Sequence, residues 1–159
     1  MVDFKLKKMA KYLISLNKDR MDKLSIPFDM YYENGEEIDF NNEGIGIVSS
    51  LKMHEIPHFV EKVLEARGLH EEYSGFSFGP VEDEGRMMVE PGHVQLYIMD
   101  TDTILTQREF FELALQLVNK ALEAVDVFQL KEKKVVDNKW IEKVKSYIPA
   151  LQAKLKNTL

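Results

Sequence analysis

The chain has 159 residues, 45% apolar, 10% aromatic and 30% charged, with a formal net charge of −6 at pH 7; this fits a single globular domain over residues 1–159 with a sizeable core. No cysteine occurs, which excludes disulfides, thiol nucleophiles and cysteine-bound zinc. The apolar runs fall far short of the roughly 18 residues a membrane span needs, and residues 1–8 carry charges where a signal peptide is apolar, so a cytoplasmic protein with no membrane partner is expected.

No repeat, low-complexity tract or Pro/Gly/Ser linker divides the sequence. Residues 4–24 are predicted as a helix, because Leu6, Met9, Ala10, Leu13, Leu16, Arg20, Met21 and Leu24 recur at three- and four-residue spacing and Asp3 can cap the start. Lys5, Lys7, Lys8, Lys11 and Lys18 lie mainly off that stripe, as a solvated face does. Pro27 ends the helix. Residues 28–33 alternate and are rich in aromatics, so they read as a strand, and Asn34-Gly35 is a strong hairpin signal leading to a partner over 36–40. A two-residue loop would set Glu33 against Glu36; like charges there are unfavourable and argue for a longer or bulged loop. Residues 45–49 read as a third strand.

A second helix is expected to start near Pro57 and to carry Phe59, Val60, Val63 and Leu64 as far as Gly68. Residues 76–78 resume extended structure. Two further strands, 86–89 and 93–99, are joined through Pro91-Gly92, and Glu82-Asp83-Glu84 sits at the turn before them. Thr106-Gln107-Arg108-Glu109 is a capping box, with Leu105 and Phe110 at hydrophobic-staple positions. It opens a helix whose face is Phe110, Leu113, Ala114, Leu117, Val118, Ala121, Leu122 and Val125. Asp137 opens a last helix carrying Trp140, Ile141, Val144, Tyr147, Ile148, Leu151 and Leu155, which Pro149 should kink or restart. The fold class is α+β: an antiparallel or mixed sheet of about five to six strands with three to four helices packed mainly on one face.

The catalytic and metal-binding strings are poor matches. His54-Glu55-Ile56-Pro57-His58 spells the zinc-protease signature, whose chemistry needs both histidines on one helical face. Pro57 inside the string opposes that face, so a chance match is expected. Residues 39–44 imitate half of an EF-hand loop, but the twelfth position is Ser50 and the eighth Gly46. Asp100-Thr101-Asp102 reads as the end of a strand before a capped helix, and Gly44-Ile45-Gly46 lacks the lysine and hydroxyl of a phosphate loop. His70 and His93 have no assignable partner. No catalytic residue, metal ligand or cofactor is expected.

Charge is segregated along the chain. Residues 1–25 carry seven Lys/Arg and three Asp (net +4), residues 26–126 six Lys/Arg and 21 acids (net −15), and residues 127–159 eight Lys and three acids (net +5). Basic ends can offset the self-repulsion of the acidic body, and the body can attract a basic partner. Two acidic clusters stand out, Glu33, Glu36, Glu37 and Asp39 around the first hairpin and Glu82, Asp83 and Glu84 at the later turn, with Tyr31, Tyr32 and Tyr73 as aromatic anchors of the kind interfaces use.

Within residues 93–121, Val94-Gln95-Leu96-Tyr97-Ile98 is followed by Ile104-Leu105-Thr106-Gln107-Arg108-Glu109-Phe110-Phe111-Glu112-Leu113. This strand leading into a capped Glu-Phe helix resembles the immunity proteins of bacterial polymorphic-toxin systems, over under a fifth of the chain. The resemblance implies a non-enzymatic inhibitor that neutralises a cognate toxin by covering its active site. Nuclease toxins have basic active sites because they hold phosphate, so an acidic surface suits them. A regulatory or structural interaction domain, self-associating or not, shares the composition, and a metal-dependent hydrolase is a further alternative. A nucleic-acid partner is not expected, since the body repels a phosphate backbone.

Overall fold

The computed structural model describes residues 12–39 and 43–158. Strand β1 (Tyr12–Leu16) pairs antiparallel with β2 (Phe28–Tyr32), Tyr12 opposite Tyr32, around the short helix α1 (Lys18–Leu24). The predicted helix over 4–24 is thus corrected. Its first part, with Asp3, lies outside the described residues, 12–16 is a strand, and the helix begins only after Asn17, whose side chain accepts from the Arg20 amide. In β1, Tyr12 and Ile14 are buried while Leu13 is 37% exposed. Alternation at period two has therefore overridden the apparent helical stripe. Among the described residues, the second edge of β1 meets a side chain: Gln116 accepts from the Ile14 amide and donates to the Tyr12 carbonyl at 3.0 Å.

After β2 the chain turns through Glu33, Asn34 and Gly35. Gly35 has φ +92 and donates to the Tyr32 carbonyl, and Tyr31 bridges Glu37. The loop therefore has three residues, and Glu33 does not oppose Glu36. The partner segment makes this bridge without becoming a strand, and the part from Phe40 onward passes out of the described residues.

Residues 45–49, expected as a strand, instead give the four-residue helix α2 (Gly46–Ser49) with Ile45 at its N-cap. All four are buried, so no amphipathic alternation distinguishes helix from strand there. Its approach is fixed by the Ile45 amide, which donates to Thr103 Oγ1 at 3.0 Å, and by Gly44, which lies so near Leu96 that a Cβ would fall 2.1 Å from the carbonyl oxygen.

A 3-10 turn (Met53–Glu55) leads into α3 (Ile56–Glu65), with Pro57 in its first turn. The helix ends at Glu65, with Ala66 as its left-handed C-cap, two residues before Gly68. Strands β3 (Leu69–His70), β4 (Ser74–Phe78), β7 (His93–Ile98) and β8 (Thr101–Thr106) form a four-stranded sheet in the order β3-β4-β7-β8. Between β4 and β7, β5 (Val81–Asp83) and β6 (Arg86–Val89) pair as a two-stranded ribbon. The two long helices are α4 (Gln107–Val127), opened by the Thr106–Glu109 capping box, and α5 (Asn138–Lys156), capped by Asp137 and continuing through Pro149.

The architecture is α+β. Every strand pair is antiparallel, and the described strands fall into sheets of two, four and two. The register Phe76–Leu96–Thr103 and Phe78–Val94–Leu105 puts one face of the four-stranded sheet against α3 and α4. Phe76 meets Phe59 of α3 and Phe110 of α4 edge-on, with ring centroids 5.2 and 5.0 Å apart. The opposite face carries Gln95, Tyr97, Asp102 and Ile104, the last 43% exposed. Buried residues from Tyr12 to Leu151 join one hydrophobic cluster.

Candidate functional site

The acidic candidates occupy two separate places. Glu82 and Asp83 lie in β5, and Glu84 begins the turn of the ribbon with φ 50, a left-handed conformation of the kind that tight two-residue hairpin loops use. Residues 82–88 are all exposed, including Met87 and Met88 at 41% and 48%. The register sets Glu82 opposite Met87 and Asp83 opposite Arg86, so each acid on the strand stands beside a methionine or a lone guanidinium. The ribbon extends the β4–β7 pair beyond Phe78 and Val94, and the Gly79 amide donates to the His93 carbonyl at its root. Its buried contribution is Val89.

The second place is the turn after β2. Glu33, Glu36, Glu37 and Asp39 are exposed there, and Tyr31 and Tyr32 are half-buried. Tyr32 donates its hydroxyl to Glu43. That bond, partial burial and the charges of Glu43 and Glu36 push its phenol up to about 12. From Glu43 the chain crosses the β7–β8 pair at Leu96 and Asp102. The Met99 amide, in the turn joining those strands, donates to the Tyr73 carbonyl at 2.6 Å. Tyr73, 60% exposed, therefore stands with Met99 at one end of the sheet, whereas the ribbon leaves from the other. The tyrosines thus accompany the first cluster and the sheet end, and the ribbon tip has methionines in their place.

The histidine string falls across the boundary that its proline dictates. His54 and Glu55 are in the 3-10 turn, and His58 is in α3. Glu55 accepts from the Lys52 amide at 2.8 Å through one carboxylate oxygen, as a cap. Among the described residues no group of three or more His, Asp or Glu is placed to hold a metal ion. His54 and His58 border two hollows. One, of about 350 Å³, lies between α2, the start of α3 and β3. The other, of about 480 Å³, is a shallow cleft shared with Lys139, Trp140 and Lys143 of α5. Beneath the cleft, Trp140 Nε1 donates to the Met53 carbonyl at 2.9 Å, and Tyr147 donates to Glu61, which also pairs with Lys143 at 3.3 Å. The hydroxyl bond, with Lys143, holds Glu61 below the usual carboxylate range although burial opposes it.

His70 and His93, unassigned from sequence, are local. His70 stacks on Tyr97 with Nδ1 3.1 Å from its hydroxyl, and His93 Nδ1 lies 3.2 Å from the Pro91 carbonyl. Burial, and then the charge of Glu71, raise the Tyr97 phenol. Sequence reasoning missed the 350 Å³ hollow because its walls come from α2, α3 and β3, segments separated along the chain. It also missed the exposed methionines, which a strand pattern alone assigns to either face. No helix among the described residues is long and apolar enough to cross a membrane. Comparison of the chain with protein-family models, curated proteins and solved structures returns no match.

Proposed function

We propose that this chain is a non-enzymatic protein-binding module of the immunity or inhibitor kind, acting in the cytoplasm and docking a basic toxin domain through the β5–β6 ribbon. The observation that carries the reading is the ribbon itself. Residues 82–88 are ordered in a ladder yet exposed throughout, and Glu82, Asp83 and Glu84 stand at the tip with Met87 and Met88 beside them. Ordering exposed chain costs conformational entropy, and burial of Val89 alone offsets little of it. Acids at a protruding tip steer a basic partner during encounter, and flexible methionines then supply adaptable apolar contact once it has arrived. A nuclease domain suits such a tip, because its active site is built to hold phosphate.

The test is capture of a partner by the full chain at low salt, followed by assay of that partner's own activity with and without this protein. The expected result is a basic protein that is inhibited stoichiometrically. Raising the salt should slow association more than it speeds dissociation. The triple reversal Glu82→Lys, Asp83→Lys, Glu84→Lys should slow association by about tenfold or more. A captured protein that stays fully active, or one indifferent to the reversal, would turn the reading toward a regulatory interaction domain.

A further inference from the structure

The hollow of about 350 Å³ between α2, the start of α3 and β3 is a second feature, independent of the ribbon. Its walls include Ile47, Leu51 and Phe59, all nearly fully buried, and the half-buried Leu69. Its volume is at the small end of the range for cavities that hold organic ligands. Glu55 and Glu71 are the two carboxylates among its described lining residues, which also include the imidazoles of His54 and His58, and no lysine or arginine is among them. Both are exposed, so they stand at the mouth above an apolar floor. One Glu55 oxygen is held by the Lys52 amide. Glu71 makes no ion pair among the described residues.

We infer that this hollow is a binding site for a small organic ammonium ion, a protonated amine carried on a short aliphatic or aromatic body. The body would cover Leu69 and the small exposed edges of Ile47 and Leu51, 4% and 7% exposed, a gain proportional to the apolar area covered. The ammonium would remain at the mouth against Glu71 and Glu55, where low-dielectric walls on one side strengthen the attraction above its value in open water. A carboxylate ligand of the same shape meets two negative charges and is rejected. A neutral alcohol keeps the apolar gain and loses the charge pairing. The two exposed acids are spaced along the chain on the 3-10 turn and on the β3–β4 connection, so the site forms only in the folded protein.

The experiment is a titration of the isotope-labelled full chain, followed by amide shifts, with hexylammonium, 1-hexanol and hexanoate as probes. Hexylammonium should give saturable shifts confined to residues 47–59 and 69–75, hexanol should bind about fivefold more weakly or worse, and hexanoate should not bind. Glu71→Gln should weaken hexylammonium by about fivefold and leave shifts elsewhere unchanged. Glu84→Gln, on the ribbon tip, should leave binding intact. Equal binding of hexylammonium and hexanol, shifts outside the hollow, indifference to Glu71→Gln, or no saturable shift at millimolar hexylammonium would each overturn the assignment.

Discussion

Asp29 is 8% exposed in β2 and is held from two directions: Arg20 donates at 3.0 Å and Asn17 at 2.7 Å. Arg20 also donates to the Phe28 carbonyl and, at 3.4 Å, to the Ser49 carbonyl, so one guanidinium ties α1 to β2 and α2. The value of such a pair lies less in its attraction than in what its loss exposes. Removing the carboxylate leaves the half-buried guanidinium, 17% exposed, and the Asn17 amide each short of one acceptor, which costs about 1–3 kcal/mol. Asp29→Ala should lower unfolding free energy by about that amount in a urea titration, whereas Asp22→Ala, whose partner Lys18 is a solvated i,i+4 neighbour, should cost under about 0.5 kcal/mol. Equal effects would show that the network carries no special weight. A second residue-scale prediction concerns Gly44. A Cβ there would lie 2.1 Å from the Leu96 carbonyl oxygen and 2.9 Å from the Asp102 Cα, both backbone atoms that cannot swing aside. Gly44→Ala should therefore destabilise by about 1–3 kcal/mol and shift amide signals in β7 and β8. The same measurement on Gly85→Ala is not a fair control, since φ there is +77; Ser77→Ala is a better one.

At the scale of elements, the ribbon is separable and the other strands are not. Replacing residues 80–91 by an Asn-Gly turn removes one buried side chain, Val89, worth about 1.5 kcal/mol or somewhat more. The melting temperature should fall by about 5 °C or less, with far-ultraviolet dichroism otherwise retained and capture of a basic partner lost. A larger fall would mean that the ribbon is structural. Of the ribbon, β6 and the acidic turn before it were legible in the sequence, because turn chemistry is local, but Glu82 and Asp83 were read as turn and belong to β5. The capping box and α4 were legible for the same reason: Thr106 and Glu109 are three residues apart, and the apolar face repeats within the helix itself. What failed depended on partners distant in sequence. Tyr12–Leu16 satisfies both a helical and an alternating pattern, and among the described residues pairing with β2 and the Gln116 bonds decide between them. One local cue pointed the right way, since Asn17 is a good helix cap and a poor residue for a helix interior. Gly46–Ser49 is buried all round and shows no period at all. Tyr73 was grouped with the acidic turns by composition, and the strand register separates it from the ribbon.

For the molecule as a whole, the acidic body and the basic C-terminal segment meet at a seam where Glu61 of α3 pairs with Lys143 and accepts from Tyr147 of α5. A comparable tyrosine–glutamate bond, Tyr32 to Glu43, ties the first sheet to the chain crossing the second. Both bonds make stability depend on pH, in opposite directions at the two ends of the scale. Tyr32 is held at about 12 in the folded protein against an ordinary 10.0, and Tyr147 is raised by its burial first and then by Glu61. A phenol raised on folding contributes stability that is complete below its unfolded value and is lost as pH rises through the folded one. For Tyr32 that window runs from 10.0 to about 12. Glu61 is lowered from 4.5, so its contribution is present above that value and fades as pH falls through the depressed native one. The urea midpoint should accordingly be flat with respect to these groups between 4.5 and 10.0 and decline on both sides. Tyr32→Phe should flatten the alkaline limb and leave the acid limb unchanged, and Glu61→Gln should flatten the acid limb and also ease part of the alkaline one, because Tyr147 loses the charge that raises it. If Tyr32→Phe left the alkaline slope as steep as before, the bond to Glu43 would not govern that titration, and the tie between the two sheets would have to be sought in the packing of Gly44 on Leu96 and the Ile45–Thr103 hydrogen bond.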